Sequence, residues 1–458
     1  MGTGLPCGGA GHRILIENSE YWLRNYGDLA MLEVTVRRLR ARWPGASIGI
    51  MTEAPALVSA YFPGAVGITV GAADPWRAPG PIARLAARLG PTVAGPVEIT
   101  RLRAWAWFLP RAIEVRDRLR ANRSRAEPVA AAAGAEAVAA VGTRIEARHP
   151  GAARAVREAD LVVALGGGYL TDADVPQATR VLELLDYARD AGIPTALVGQ
   201  GLGPLRDARL RDRAAQVLAK TPFIALRERR RGPELLAALG VPPEAFAVTG
   251  DDAIELAVAA RKVELGTDIG VCLRVARYAP VAAAAQDRVG EVVRTSAAQL
   301  GARLAPLIIA ETPGSPDRAT TLPLVRASAD PVAPPGRFVR PGDVAERVAR
   351  CRVLVTGAYH LAVFALSQGI PVVALTSTEY YDDKFLGLAE MFGGGVRLIH
   401  LDDPDLGELL AAAVRAAWDE AEEVREPLRA GADEQVAASR AGFERLFALL
   451  ERSHIEHG

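Results

Sequence analysis

The sequence predicts an α/β protein of two doubly wound, Rossmann-like domains that face each other across a cleft. Three observations carry that reading. Short β-branched and aliphatic runs alternate with helix-favouring runs along most of the chain, the rhythm of parallel sheets covered by helices. Polar and glycine-rich turns follow the strands, at the edge where open α/β sheets hold ligands. With 458 residues, half of them apolar, the chain is long enough for two or three domains and a large core.

Composition narrows the function classes. Formal charge is zero, so no bulk attraction to nucleic acid is expected. No apolar run approaches the ~20 residues of a spanning helix. The opening MGTGLPCGGAGHR lacks the apolar stretch of a signal peptide, so a cytoplasmic protein is expected. Cys7, Cys272 and Cys351 are scattered, which suits reduced thiols. The six histidines show no zinc spacing, so no metal is expected.

The segment 352–384 shows the rhythm most clearly. Residues 353–355 read as a buried strand, Thr356 and Gly357 break it, 358–368 favours helix, Gly369 stops it, and 370–375 is a second strand. His360 lies where the first strand's carboxyl end meets the helix's first turn. The free N–H groups there suit an anionic ligand beside the imidazole. Capping or packing the helix is the other reading of His360.

In the first half, 13–17 is a strand. Asn25, Gly27 and Asp28 form the turn into a helix whose Leu29, Leu32, Val36 and Leu39 share one face. Asp28 either caps that helix or faces a ligand, and Gly27 permits close approach. After a strand at 160–165 come Gly166, Gly167 and Gly168, whose backbone N–H groups suit a phosphate or a sugar edge. A strand at 195–198 runs into the turn GQGLGP, 199–204, which bears Gln200. Strand 223–226 is followed at once by Arg227, and 247–249 by Gly250, Asp251 and Asp252. These polar groups project from one sheet edge.

Between them, 71–150 reads as a helical, arginine-rich insert. Leu102, Trp105 and Leu109 share one helical face there, and Ala112, Val115 and Leu119 another. Its basic stretch 101–125 offers either a peripheral membrane contact or a seat for an anionic acceptor; a solvated helix packed on its own domain is the plainer reading.

The first domain is expected to span 1–262 and the second 263–458. The second holds strands at 269–273, 304–310 and 338–339 besides the segment above, and Arg274 follows the first of them. Helices near 406–424 and 433–450 close the chain, the last free to cross back. Two such sheets in tandem describe the glycosyltransferase-B (GT-B) architecture, with ligands in the cleft.

In this order the motifs resemble the polysaccharide pyruvyl transferase family. They are NYGD at 25–28, the strand and GGG at 160–168, GQGLGP at 199–204, ALRER at 225–229, TGDDA at 249–253, GVCLR at 270–274, and YHLAVFALSQGIPVVAL from Tyr359, with Lys384 after it. The resemblance covers most of the chain outside its first dozen residues and much of 71–150. It implies a bacterial enzyme of cell-envelope carbohydrate biosynthesis. Such an enzyme moves pyruvate from phosphoenolpyruvate to a saccharide or related hydroxylated acceptor, as a ketal across two hydroxyls, with no cofactor. Arg227 and Arg274 would then grip the donor's carboxylate and phosphate, with Lys384 a third cation if its loop folds inward. His360 would protonate the departing phosphate or the methylene carbon, and Asp28 or Asp251 would take the acceptor's proton. Asn25, Gly27, Gly166, Gly167, Gly168, Gln200 and Tyr359 complete the implied substrate-binding set.

The chain departs from the family once. The family carries an arginine two places before the histidine, and Ala358 stands there here. Losing a charge-assisted anchor costs about 1.5–3 kcal/mol of binding; Arg340, Arg350 and Arg352 are the candidates to replace it. Two further readings use the same cleft. One is a GT-B enzyme taking a nucleotide-sugar, its ribose held by Glu379 or Asp382. The other is a non-catalytic family member, which Ala358 favours and Asp28, Arg227 and His360 oppose.

Overall fold

The computed structural model describes residues 11–104, 107, 141–276, 279–312, 316–328, 330 and 332–457. The aliphatic runs are buried on both faces, as parallel strands between helices must be, and they build two sheets. The first runs in the order β3 (Val66–Ile68), β2 (Ser47–Met51), β1 (Arg13–Glu17), β4 (Leu161–Ala164), β6 (Thr195–Leu202), β7 (Phe223–Leu226), β8 (Phe246–Val248), with β5 (Gly167–Leu170) paired to β6 off that path. The second runs β10 (Leu304–Pro306), β9 (Asp268–Cys272), β11 (Cys351–Thr356), β12 (Val372–Thr376), β13 (Val396–His400). Every ladder is parallel; Ile14, for example, lies between Ile48 and Leu161. These are two Rossmann-like α/β domains, and the order of each sheet fixes where its crevice opens. Strand order reverses between β1 and β4 in one sheet and between β9 and β11 in the other. Such reversals leave a gap beyond the strands' carboxyl ends.

The halves share a core. Leu29 and Leu32 of the helix Tyr26–Arg42 pack in one buried cluster with Phe364 of Tyr359–Ser367 and Phe443 of the last helix. Backbone also crosses the gap: Tyr26 donates its N–H to the Ile309 carbonyl at 2.8 Å, and Asn25 bridges Ala310. The last helix, Arg425–His457, leaves the second sheet and returns to the first. Its Arg445 guanidinium lies 4.3 Å over the Phe223 ring, and Ser439 accepts from Arg38 at 2.7 Å. Where this helix starts, Arg425 donates to the carbonyls of Lys262 and Val263 at 2.8 and 2.9 Å, and Arg429 to that of Lys262 at 2.7 Å.

Several expected elements differ. GQGL is not a turn: β6 continues through it to Leu202 because β5 supplies a partner beside Gln200. Residues 338–339 form no strand; Phe338 has φ +56, and its N–H donates to the Tyr26 hydroxyl at 2.9 Å. β3, β5 and β13 were not anticipated. In the insert, Leu102 is buried and Arg101 pairs with Glu98 at 2.8 Å. Trp105, Leu109, Ala112, Val115, Leu119 and the arginines from Arg111 to Arg125 lie outside the described residues, and with them most of the stretch to which a membrane contact was assigned. Among the described residues no helix is long and apolar enough to cross a membrane. Cys272 and Cys351 are buried free thiols.

Candidate active site

The NYGD turn divides its tasks. Asn25 caps the helix Tyr26–Arg42, its side-chain oxygen accepting the Gly27 N–H at 3.0 Å. Asp28 is therefore not the cap. It sits in the first helical turn and faces the gap, where burial pushes its carboxyl up against the opposing pull of His360. Gly27 touches the second half directly: a Cβ there would lie 2.1 Å from the His360 Cγ. Only a residue without a side chain lets the imidazole come this close.

The triglycine divides likewise. Gly166 does not reach the gap, because a Cβ on it would meet the Gly199 carbonyl oxygen at 2.5 Å; it packs strand on strand. Gly167 (φ +154) opens β5. Gly168 lies under the cations, its Cβ position being 2.9 Å from Arg227 Nη2 and 3.0 Å from Lys384 Nζ. Gln200 does not line the gap either. Buried inside β6, its Nε2 donates to the Leu165 carbonyl and the Tyr169 hydroxyl, each at 2.9 Å, and so holds the glycine loop in place.

Arg227 ends β7 and is 3% exposed. Its guanidinium lies 4.2 Å from the Tyr359 ring centroid, with Nη1 3.7 Å from Asp251 Oδ2. That same oxygen is 3.6 Å from His360 Nε2, while Asp251 Oδ1 accepts the Ala253 N–H at 2.9 Å. Burial alone would raise the Asp251 carboxyl; His360 and Arg227 outweigh it and hold it below the usual carboxylate range. Asp251 is thus a shared counter-ion behind the imidazole and the guanidinium.

From the second half, Arg274 follows β9 and pairs with buried Asp317 at 2.8 Å while lining the gap. Lys384 lies on no loop: it is carried by the helix Glu379–Phe392, which aims it inward over the Tyr380 ring at 3.9 Å. Burial, then Arg227 and Arg274, push its amine well below the ordinary lysine range. Ala358 heads the helix Tyr359–Ser367 with no side-chain cap. None of the expected substitutes for the missing arginine lines the gap. Arg340 donates to the Tyr61 carbonyl at 3.2 Å and Arg352 to that of Trp418 at 3.0 Å.

These groups meet in a cavity of about 310 Å³. Asn25, Asp28, Gly167, Gly168 and Arg227 come from the first half; Arg274, Ala358, Tyr359, His360 and Lys384 come from the second. A second cavity of about 530 Å³ adjoins it and shares Gly168, Arg227, Tyr359, Tyr380 and Lys384 as its wall. Glu20, Tyr380 and Tyr381 also line the smaller cavity, and sequence reasoning missed all three. Glu20 accepts the N–H groups of Trp22 (3.0 Å) and Arg24, and burial, aided by Asp28, pushes it up to about 7. Tyr380 donates across the gap to the Gly168 carbonyl at 2.7 Å. Among the described residues, His360 Nε2 and Asp251 Oδ2 are buried without a hydrogen-bond partner.

Two facing Rossmann-like sheets with a polar gap at both reversals of strand order define a protein of the GT-B class. The UDP-GlcNAc 2-epimerase of Neisseria meningitidis, solved with UDP-GlcNAc, is similar over 95% of this chain and 100% of that one (11% identity, TM-score 0.52). MnaA of S. aureus, solved with UDP, is similar over 94% of each (10% identity, TM-score 0.52). UGT73P12 of Glycyrrhiza uralensis is similar over 98% and 97% (10% identity, TM-score 0.51). At such identities the likeness concerns the fold. A model of the polysaccharide pyruvyl transferase family matches residues 25–379, and the chain belongs to that family, a family of transferases. No curated protein matches it.

Proposed function

We propose that this transferase moves pyruvate from phosphoenolpyruvate to two hydroxyls of a saccharide-type acceptor, closing a ketal without a cofactor. One observation carries the reading. The smaller cavity brings Arg227, Arg274 and His360 around one space, opposite Asp28 and with Lys384 in the wall it shares with the larger cavity. Guanidinium groups suit a carboxylate and a phosphate. Arg227, stacked on Tyr359, and Arg274, held by Asp317, are fixed before any ligand arrives. That preorganisation lowers the ordering cost of binding and offsets part of what Ala358 forgoes. His360, backed by Asp251, is the acid for the methylene carbon or the leaving phosphate. The nucleotide-sugar reading is less well served. Asp382 accepts from the Thr376 hydroxyl at 2.7 Å, and Glu379 pairs with Arg206 at 2.8 Å, so both candidate ribose partners are engaged.

The test is ligand-dependent stability of the purified chain. Phosphoenolpyruvate at a hundred times its Kd adds about 2.7 kcal/mol to the folded state, and Arg227→Ala is expected to diminish that shift. No shift with phosphoenolpyruvate, beside a clear one with UDP-GlcNAc, would overturn the reading.

A further inference from the structure

The chain writes its positive charges as arginine: only three of its 54 Lys and Arg residues are lysines, at 220, 262 and 384. One of the three stands in the wall between the two cavities. An arginine keeps its proton in proteins, whereas a lysine in a crowded cationic site gives its proton up. The other wall residues cannot accept one. Gly168 has no side chain, and Arg227 stays charged. Tyr359, its phenol pushed up by burial, stays protonated, and Tyr380 donates to the Gly168 carbonyl at 2.7 Å.

The larger cavity differs in chemistry from the donor's. Its wall mixes the guanidinium groups of Arg206, Arg211 and Arg231 with the carboxylates of Glu234, Glu379 and Asp383, beside Tyr359, Tyr380 and the apolar Leu235. Aromatic rings among both hydrogen-bond donors and acceptors suit a polyhydroxyl compound. Its volume of about 530 Å³ falls in the range of small-molecule sites.

We propose that a saccharide seats in this larger cavity and that Lys384 takes the proton from its attacking hydroxyl; the inference rests on phosphoenolpyruvate as the donor. The groups facing Lys384 are Arg227 at the end of β7, Arg274 after β9, Asp28 on the first helix, and Tyr380 and Tyr381 on its own helix. Burial, then the two guanidinium groups, disfavour a charge on the amine and keep it free for the work. The first hydroxyl oxygen bonds to C2 of the donor, and its proton passes to Lys384 Nζ. Protonated His360 gives its proton to the methylene carbon, which becomes methyl. The second hydroxyl oxygen then bonds to C2 as the bond from C2 to the phosphate oxygen breaks. Phosphate leaves with that electron pair and takes the proton from Lys384, and the second hydroxyl's proton restores His360.

The experiment compares the full-length protein with Lys384→Gln and Lys384→Arg. Phosphoenolpyruvate affinity is read by calorimetry, and transfer by phosphate release with a set of methyl hexopyranosides. We expect Lys384→Gln to bind phosphoenolpyruvate within about threefold of the parent and to lose transfer by roughly 10²–10⁴-fold. Lys384→Arg should not recover transfer. Ala238→Trp, which fills the larger cavity, should raise the hexopyranoside KM at unchanged donor affinity. Transfer retained in Lys384→Arg, or donor affinity lost in step with transfer in Lys384→Gln, would show a mere anchor and overturn the proposal. A parent that binds phosphoenolpyruvate but transfers to no hexopyranoside overturns the acceptor assignment. A parent that fails to bind phosphoenolpyruvate sinks instead the donor reading beneath it.

Discussion

The two sheets present opposite chemistry to the same gap. Where β1 and β4 diverge, the first half offers backbone and carboxyl groups: Gly27, Gly167, Gly168, Glu20 and Asp28. Where β9 and β11 diverge, the second half offers the imidazole of His360 and the cation Arg274, with Lys384 on the helix after β12. Arg227 is the exception, a cation lent by the first half and stacked on a tyrosine of the second. The difference teaches that neither half is a site alone. One supplies surfaces without side chains, so that the side chains of the other can enter.

That contrast can be broken from either side. His360→Asn removes the second half's acid and is expected to lower transfer by ~10²–10⁴-fold with little change in folding, read by phosphate release and urea denaturation. Asp317→Ala removes the carboxylate that accepts from Arg274 and from the Ala310 N–H, each at 2.8 Å, and is expected to cost about 1.5–3 kcal/mol of folding stability. Gly27→Ala drives a methyl into the imidazole and should cost about 1–3 kcal/mol together with most of the activity. Gly166→Ala, whose clash is with the first half's own backbone, should cost stability without touching the imidazole. If Gly27→Ala kept full transfer, the division of labour between the halves would be wrong.

Behind the first sheet, the last helix gives a pH test. Burial pushes Asp252 up to about 6, despite Arg38 and the Ser439 hydroxyl. The folded state then binds this proton more tightly than the unfolded chain. Its contribution is complete below the ordinary value of 3.8 and is lost as pH rises through about 6. Denaturation free energies of the parent should fall relative to Asp252→Asn across that window; a constant difference would refute the assignment. The smallest effect is expected from Tyr380→Phe, which deletes one hydrogen bond across the gap, at about 0.5–1.5 kcal/mol.

Much of this was legible in the sequence because strand ends announce themselves. An aliphatic run followed by NYGD, GGG, Arg227 or the Tyr359–His360 pair marks a carboxyl edge, and edges gather ligands. What could not be read depended on neighbours remote in sequence. Gln200 lies between glycines and reads as a turn residue, yet β5 makes it part of a strand. Asp251 reads as a base, but Arg227 and His360 turn it into a counter-ion. Glu20 has no motif at all; its environment is made by burial and two backbone N–H groups. Lys384 was read as a loop residue because the polar run EYYDDK hides a helix start.

The chain passes between its halves at the 261–263 segment and again at the head of the last helix, and Arg425 and Arg429 tie those two passages side by side. On the opposite rim, Arg206, Arg230 and Arg231 face Glu379, Asp383 and Glu390. Exposed ion pairs of this kind weaken as salt rises, so this clasp between the halves holds least firmly in brine, while the seam behind it does not depend on the surrounding ions.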